Sequence, residues 1–500
     1  MERAAAAVRQ EGYLHHMVAS TGTASTSTPA HEGWSSRGAF ILAAVGSAVG
    51  LGNLVRFPAE AGANGGGAFV LFYIFCVVLI GLPVLLSEVL IGRHGQAAAP
   101  LSFRSIARES GRSGAWSIVA SLGVFSAFLV LSFYCVLGGW VLYYIGLFGT
   151  DVFTSGPTSG AFAGSTFEQV DALFGAMVSD GLSTSLLDLV FLSVTFVFVA
   201  RGVSGGIEKV AVYLMPTFFF LLVAITIYGL FGGAMARTVD YLFTFEPEKL
   251  TGEIMLAAVG QAFFSLSLGV AGMVTYGSYV GRDVNLASTS GMIAGADTAV
   301  ALIAGLCIFP IVFAAGLEPS GGLGLMFQTL PHAFSDLPFG TLIGLAFFIM
   351  VGFAALTSSV SLMEAPTSWA MDRLGLARPV AAAMVTGAAA VLGVLSALST
   401  GMLEGFQPLG FIPLFEGLGI LDLLDTFTGK LTMPIGALLT SVFVGWVVSR
   451  RLLDAESGLA GGLYGVWIFL VRWFCPLMLA LILAGGIFPE FTARLFALLG

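Results

Sequence analysis

AAVGSAVGLGNLVRFPAEAGANGGGAF, residues 43–69, begins as a buried apolar helix and then places Gly46, Gly50, Gly52, Asn53, Arg56 and Pro58 where an unbroken span would be apolar. A single glycine in such a helix often serves close packing. Three glycines followed by an amide, a guanidinium and a proline do something else, because each weakens the helix or needs polar partners. The stretch reads as a helix that is interrupted on purpose, and the rest of the chain has to explain why.

Composition sets the solvent. Of 500 residues, 57% are hydrophobic and 10% charged, with a mean hydropathy of +0.96, against roughly 25% charge in soluble domains. The chain is an integral membrane protein. Apolar stretches long enough to span recur at 38–62, 67–91, 115–147, 185–201, 207–231, 254–280, 290–317, 339–371, 378–399, 424–449 and 462–486, eleven by the criterion of about 20 residues per crossing. Residues 1–33 are rich in Ser, Thr and Ala and lack an apolar targeting core, so they read as a flexible tail before a membrane domain at 34–486; residues 487–500 form a short terminal segment. Met17 is an alternative start.

Cys76, Cys135, Cys307 and Cys475 sit singly in apolar segments, without disulfide or metal spacing. The net charge of −9 points neither to nucleic acid nor to a basic membrane patch. The loop after the second span carries Arg93, Arg104, Arg108 and Arg112, whereas 148–184 has no Lys or Arg. The positive-inside rule then places the N-terminus in the cytoplasm and, after eleven spans, the C-terminus outside a plasma membrane.

The interruption has a counterpart. Five spans later, GQAFFSLSLGVAGMVTYGSY (Gly260 to Tyr279) is again broken near its middle by small and polar residues. Paired interruptions in two halves, here about 38–231 and 254–449, are the sequence mark of an inverted-repeat transporter with its site at the midplane. Unwound backbone at that depth must line protein or a cavity, and half-helix ends offer amides to a carboxylate and carbonyls to a cation or ammonium group.

At this point the chain resembles the neurotransmitter:sodium symporters (solute carrier 6), in their prokaryotic amino-acid-transporting branch. GSAVGLGNLVRFP (46–58), NGGGAF (64–69), VGQAFFSLSLG (259–269) and ALTSSVSLM (355–363) carry the resemblance. It implies an all-α, leucine-transporter-like fold: eleven spans in a 5+5 inverted repeat, with the first and sixth unwound. It also implies two sodium sites. One matches Gly46, Val49, Ala354, Thr357 and Ser358; neutral oxygens in such a set suit a small hard cation. The other matches Ala48, Asn53, Ser265 and Asp297. Animal relatives bind chloride nearby, at positions matching Tyr73, Gln261 and Ser265. An acid at 297 supplies that negative charge within the protein, so chloride is not expected to be required.

The resemblance further implies a substrate pocket. Leu51 and Gly52 amides and the Tyr134 hydroxyl match a carboxylate cradle, and Ala48, Phe264 and Ser265 carbonyls with the Ser267 hydroxyl match an ammonium site. Glycine at 50, where amine-carrying relatives place aspartate, leaves the carboxylate to the substrate. Val130, Phe264, Val270, Ser358 and Leu362 offer a mostly apolar wall. The outer gate matches Arg56 and Asp425, with Phe264 as lid; the inner gate matches Asp372, Tyr279 and His31, with Arg37 as an alternative to His31. Histidine in that latch would make it pH-sensitive.

The reading is sodium-coupled symport of a neutral, hydrophobic or aromatic amino acid by alternating access. The alternatives are a binding sensor of the same fold and a proton-coupled transporter, with Glu88 and Glu364 as candidate proton carriers or bridges at the inner vestibule. An enzyme is disfavoured, because His15, His16, His31, His94 and His332 are assigned to tails or loops away from any convergent acids. Oligomeric state is left open.

Overall fold

The computed structural model describes residues 33–156, 162, 164–232, 234–319, 322–335 and 337–488, and His31 lies outside them. Among the described residues every element is helical. In chain order these are α1 (Arg37–Ala48), α2 (Gly52–Ala63), α3 (Gly67–Gly95), α4 (Ala99–Glu109), α5 (Gly114–Thr154), α6 (Phe167–Ser179), α7 (Gly181–Ala200), α8 (Val203–Leu230) and α9 (Met235–Phe243). The second half continues with α10 (Gly252–Ser265), α11 (Gly272–Ser278), α12 (Leu286–Ala314), α13 (Leu330–Ser335), α14 (Gly340–Leu374), α15 (Arg378–Leu398), α16 (Ile420–Val447), α17 (Arg450–Glu456) and α18 (Gly461–Ile487).

Among the described residues nine helices are long and apolar enough to cross a membrane, and α1 with α2, bent by 51°, makes a tenth. The expected sixth span is two short helices, α10 and α11, neither of which crosses alone. Both anticipated interruptions are therefore present. The first begins where Val49 turns to an extended ψ of 106° after the last α1 hydrogen bond, Val49 N–H to the Val45 carbonyl at 2.6 Å. The chain then re-enters a wide helical turn at Gly52–Arg56, with Pro58 in the first turn that follows, where its missing N–H costs little.

The second interruption is sharper. Ser267 (φ 52°), Gly269 (φ 82°) and Ala271 (φ 58°) all lie in the left-handed region within five residues, a conformation that costs non-glycine residues on the order of 1–3 kcal/mol each. What holds it is Glu88 of α3, whose Oε1 accepts the Gly269 N–H at 2.8 Å in the buried interior. A freed amide in low dielectric is thus satisfied by a carboxylate from the neighbouring helix. Glu88, read as a proton carrier or an inner-vestibule bridge, ties down the second break through this bond.

Packing divides the helices into two groups. α5, α7, α14 and α15 contact one another, while α3 packs along α10, α11 and α12, and α12 also packs on α1. Glycines permit the closest approaches: a Cβ on Gly92 of α3 would sit 2.0 Å from the Val274 carbonyl of α11, and one on Gly139 of α5 would sit 2.9 Å from the Asp188 amide of α7. Both broken helices therefore pack against the group built on α3 and α12, and α1 also touches α14 of the other group.

Gly269 combines a positive φ with a Cβ position 2.3 Å from the Met433 carbonyl. Gly269→Ala is expected to lower the detergent-solubilised unfolding midpoint by an amount equivalent to about 2 kcal/mol or more. An unchanged midpoint in a thermal unfolding assay would remove the second break from the elements that depend on a glycine.

Candidate functional site

The interruption in α1–α2 leaves carbonyls without helical partners. The Gly50 N–H, which would close the turn onto Gly46, donates to Asn53 Oδ1 at 3.3 Å, and the Leu51 N–H, which would close onto Ser47, donates to the Tyr134 hydroxyl at 3.3 Å. The carbonyls of Gly46, Ser47 and Val49 instead gather around Ser358 of α14, whose Oγ lies 3.4, 3.4 and 3.3 Å from them. Thr357 Oγ1 lies beside it, bonded to the Phe353 and Ala354 carbonyls at 3.2 and 3.0 Å. The positions expected for one sodium, Gly46, Val49, Ala354, Thr357 and Ser358, thus converge from two helices. The donor set, carbonyls and hydroxyls without a carboxylate, fits a monovalent hard cation.

Asn53, Ser265 and Asp297 form a second buried knot. Asn53 Nδ2 donates to Asp297 Oδ1 (2.8 Å), to the Asp297 carbonyl (3.1 Å) and to Ser265 Oγ (3.1 Å), and Ser265 Oγ donates to Asp297 Oδ2 at 2.6 Å. The Tyr73 hydroxyl donates to Ser265 Oγ at 3.4 Å, and Gln261 Nε2 donates to the Gly52 carbonyl at 2.9 Å. Asp297 and Gln261 are fully buried, and Gln261 Oε1 has no protein partner among the described residues. The carboxylate therefore stands beside Tyr73 and Ser265, two of the positions for which the resemblance implied a chloride site. The knot supplies anionic and neutral oxygens together, and the orphaned Gln261 oxygen leaves acceptor capacity there.

Between these two groups lies a small cavity of about 40 Å³, lined by Ala48, Leu51, Gly52, Val130, Tyr134, Phe264, Ser267, Val270, Ser358 and Leu362, together with Ser47, Gly50 and Met433. Ten of the eleven expected substrate positions line it; Ser265 sits behind, in the Asp297 knot. Met433, from α16, was not anticipated, because nothing in its local sequence distinguishes it from packing. Gly50 is needed sterically, since a Cβ there would lie 2.5 Å from Ser358 Oγ and 2.9 Å from the Tyr134 hydroxyl.

Leu51, Tyr134 and Phe264 also line a larger cavity of about 390 Å³, bounded by Arg56, Glu60, Asp422 and Asp425. Arg56 stacks over the Phe264 ring at 4.5 Å and pairs with Glu60 at 3.7 Å, while Asp425 lines the same cavity. Phe264 and the Arg56 guanidinium thus form one lid-like unit between the two spaces.

At the other end the chain entering α1 is clamped. Trp34 gives its indole N–H to the Tyr276 carbonyl at 3.1 Å and its backbone N–H to the Tyr279 carbonyl at 3.3 Å. Ser35 donates its amide to Glu208 Oε2 at 2.9 Å and its hydroxyl to Glu208 Oε1. Of the expected inner-gate residues, Tyr279 gives its hydroxyl to Glu364 at 2.6 Å, Asp372 accepts the Ala98 amide at 2.7 Å and Arg37 reaches Ser288 at 3.2 Å. Glu364 is held by Arg378 through two hydrogen bonds of 2.7 and 2.9 Å. Glu208 was missed; its place one residue before Lys209 makes it look like a solvated charge at a helix start.

Two interrupted helices that face each other across a small buried pocket are the arrangement of a membrane transporter. A model of the sodium:neurotransmitter symporter family matches residues 31–153 and 175–493. The uncharacterized sodium-dependent transporter YhdH of Bacillus subtilis is 37% identical over 454 residues, 90% of this chain and 96% of that one. A sodium-dependent transporter of Haemophilus influenzae is 31% identical over 473 residues, 93% and 100% of the two chains. The crystal structure of MhsT in complex with L-phenylalanine matches with a TM-score of 0.81 at 38% identity, over 92% of this chain and 99% of that one. The chain belongs to the sodium:neurotransmitter symporter family and is a sodium-dependent transporter.

Gly50→Ala would press a methyl group onto both Ser358 and Tyr134 at a position where the main chain leaves the helix. Substrate and sodium affinities should fall by about tenfold or more, read by equilibrium binding of labelled amino acid as sodium is varied, with the unfolding midpoint nearly unchanged. Wild-type affinities would show that the pocket lies elsewhere.

Proposed function

We propose that this protein is a sodium-coupled symporter of neutral amino acids with hydrophobic or aromatic side chains, working by alternating access. The observation that carries the reading is the cavity between the two helix breaks. One side presents the Tyr134 hydroxyl and Gly52, and the other presents Ser267 beside the Ser47 carbonyl. Val130, Phe264, Val270, Leu362 and Met433 make the remaining wall apolar, and no charged side chain lines it. A zwitterion can meet both polar ends while its side chain is desolvated. Gly50 leaves room for the substrate's own carboxylate, and the L-phenylalanine bound to MhsT is of the chemical class this wall would accept.

Two sodium ions would be held by the groups described: one by Gly46, Val49, Ala354, Thr357 and Ser358, the other by Ala48, Asn53, Ser265 and Asp297. The second lies next to the carboxylate cradle, so ion and substrate each raise the other's affinity. Asp297 balances the cation from within the protein, and transport proceeds without chloride. The cavity bounded by Arg56 and Asp425 is the extracellular vestibule, and closing it brings these two charges together over Phe264. The Trp34–Ser35 clamp, with Tyr279, is the cytoplasmic gate. The N-terminus is cytoplasmic and, counting α10–α11 as the eleventh span, the C-terminus is extracellular in a plasma membrane.

In proteoliposomes given a panel of labelled amino acids, uptake of phenylalanine-like and large aliphatic substrates is expected only under an inward sodium gradient, and not when potassium replaces sodium. Binding without sodium-driven uptake would turn the function toward sensing; uptake driven by a proton gradient alone would overturn the coupling ion. Asp297→Ser removes the fixed negative charge while keeping a hydroxyl beside Asn53. Uptake by this variant should become chloride-dependent, recovering several-fold when chloride replaces gluconate. Equal uptake in both salts would show that Asp297 has a different role.

A further inference from the structure

His94 was assigned to a loop, but the structure places it in the last turn of α3, with each ring nitrogen on a different carboxylate. Nδ1 lies 3.1 Å from Glu456 Oε1 in α17, and Nε2 lies 2.8 Å from Glu109 Oε2 in α4. Ionised carboxylates only accept hydrogen bonds, so both ring nitrogens must donate and the ring is the imidazolium. Its neighbour Arg93 grips the same Glu456 through Nε (2.9 Å) and Nη2 (2.6 Å), and adds bonds to the Glu456 carbonyl (2.7 Å) and the Val284 carbonyl (2.5 Å). Four pieces of chain meet here: the end of α3, the connector from α11 to α12, α4 and α17.

The members of this cluster differ in how they titrate. The hydrogen bond from His94, working against burial and joined by Arg93, pushes Glu456 down to about 2, so it stays ionised at any physiological pH. Glu109 is largely exposed, with its side chain 58% accessible. Glu456 from α17 and Glu109 from α4 are the charged groups acting on the ring. The stabilisation His94 adds is fully present below the ordinary histidine range near pH ~6.5 and is lost as pH rises through the folded-state pKa, because a neutral ring can donate from one nitrogen only.

The position gives that proton a consequence. α3 packs along α10, α11 and α12, the group that contains the broken helices, whereas α4 also packs on α5 and α17 lies between the last two spans. We infer that His94 is a proton-operated latch outside the transport path: protonated, it pins the end of α3 to α4 and α17 and holds the Trp34 side closed; deprotonated, it lets that side open. The inference rests on the alternating-access reading. It also places pH sensitivity at a histidine other than His31.

The test measures access and not transport. Ser278, buried at the end of α11 between Tyr276 and Tyr279, whose carbonyls Trp34 holds, is replaced in Ser278→Cys, and labelling by a membrane-impermeant maleimide is followed in inside-out vesicles at bath pH 6.0 and 8.5. In the otherwise wild-type background the labelling rate, corrected for the intrinsic pH dependence of thiolate formation with a small thiol, should rise about three- to tenfold. His94→Arg, which keeps donors on both sides at all pH values, should label slowly and without pH dependence. His94→Gln should label fast at both. Glu109→Gln, in an exposed position that spares folding, should label fast already at pH 6.0. A flat wild-type profile, or an unchanged profile in His94→Arg, would overturn the latch. Sodium is the separate control: labelling that sodium does not slow would overturn alternating access itself.

Discussion

Everything in this protein follows from backbone amides and carbonyls that are released from helices at membrane depth. Each freed group costs several kcal/mol if left in low dielectric, so every one of them must find a partner in a neighbouring helix. At the first break the partners are Asn53, Tyr134, Ser358 and Ser267; at the second, Glu88. These side chains come from α2, α5, α14, α3 and the second break itself. Five parts of the chain are therefore committed to two short unwound segments, and the binding site is what that commitment leaves in the middle.

This requirement also explains the division into two packed groups. The helices that contain or support the breaks close around α3, α12 and the α10–α11 pair, and tight glycine contacts such as Gly92 on Val274 make them a unit. The long helices α5, α7, α14 and α15 form the other unit, and they contribute Tyr134, Thr357 and Ser358 as contacts at the boundary. A site shared across a boundary is sensitive to relative displacement. An ion held by α1 and α14 oxygens would therefore favour one relative position of the units, which is a structural route by which an ion can bias access.

Much of this was legible in the sequence because the rules that forbid polar backbone in a bilayer are strict. Glycines at 46, 50 and 52, with Asn53 and Pro58, have few explanations in a stretch that must span, and the break appears at Val49–Leu51 as expected. Most residues that line the small cavity fall inside the quoted motifs 46–58, 259–269 and 355–363, while Val130, Tyr134, Val270 and Met433 lie outside them. What escaped were partners supplied at long range by residues with ordinary local context. Met433 looks like core in α16, Glu208 looks like a solvated helix start, and Glu88 could have been a proton carrier. His94 looked like part of a loop because Gly95 and Gln96 follow it, yet α3 runs through it to Gly95 and Gln96 takes the left-handed cap. Only the fold shows that Glu456, 362 residues away, faces its ring.

The two ends of the molecule are built with different chemistry, and the difference bears on how the cycle can be driven. Around the 390 Å³ cavity, Arg56, Glu60, Asp422 and Asp425 face water, where an ion pair contributes little and can re-form in several geometries. At the opposite end Glu364 and Arg378 are buried and joined by two hydrogen bonds, Tyr279 adds a third, and Trp34 is fixed through both its indole and its backbone. Separating such a buried pair costs about 3–5 kcal/mol where one charge is left buried without its partner, far more than rearranging exposed charges. The exposed end is therefore free to open and close at little cost, while the buried end needs a source of free energy. One elementary charge moving through 100 mV supplies about 2.3 kcal/mol, a single-ion contribution comparable with that cost, so an ion bound beside the first break, whose helix leads directly into the clamp, would act where that energy is needed.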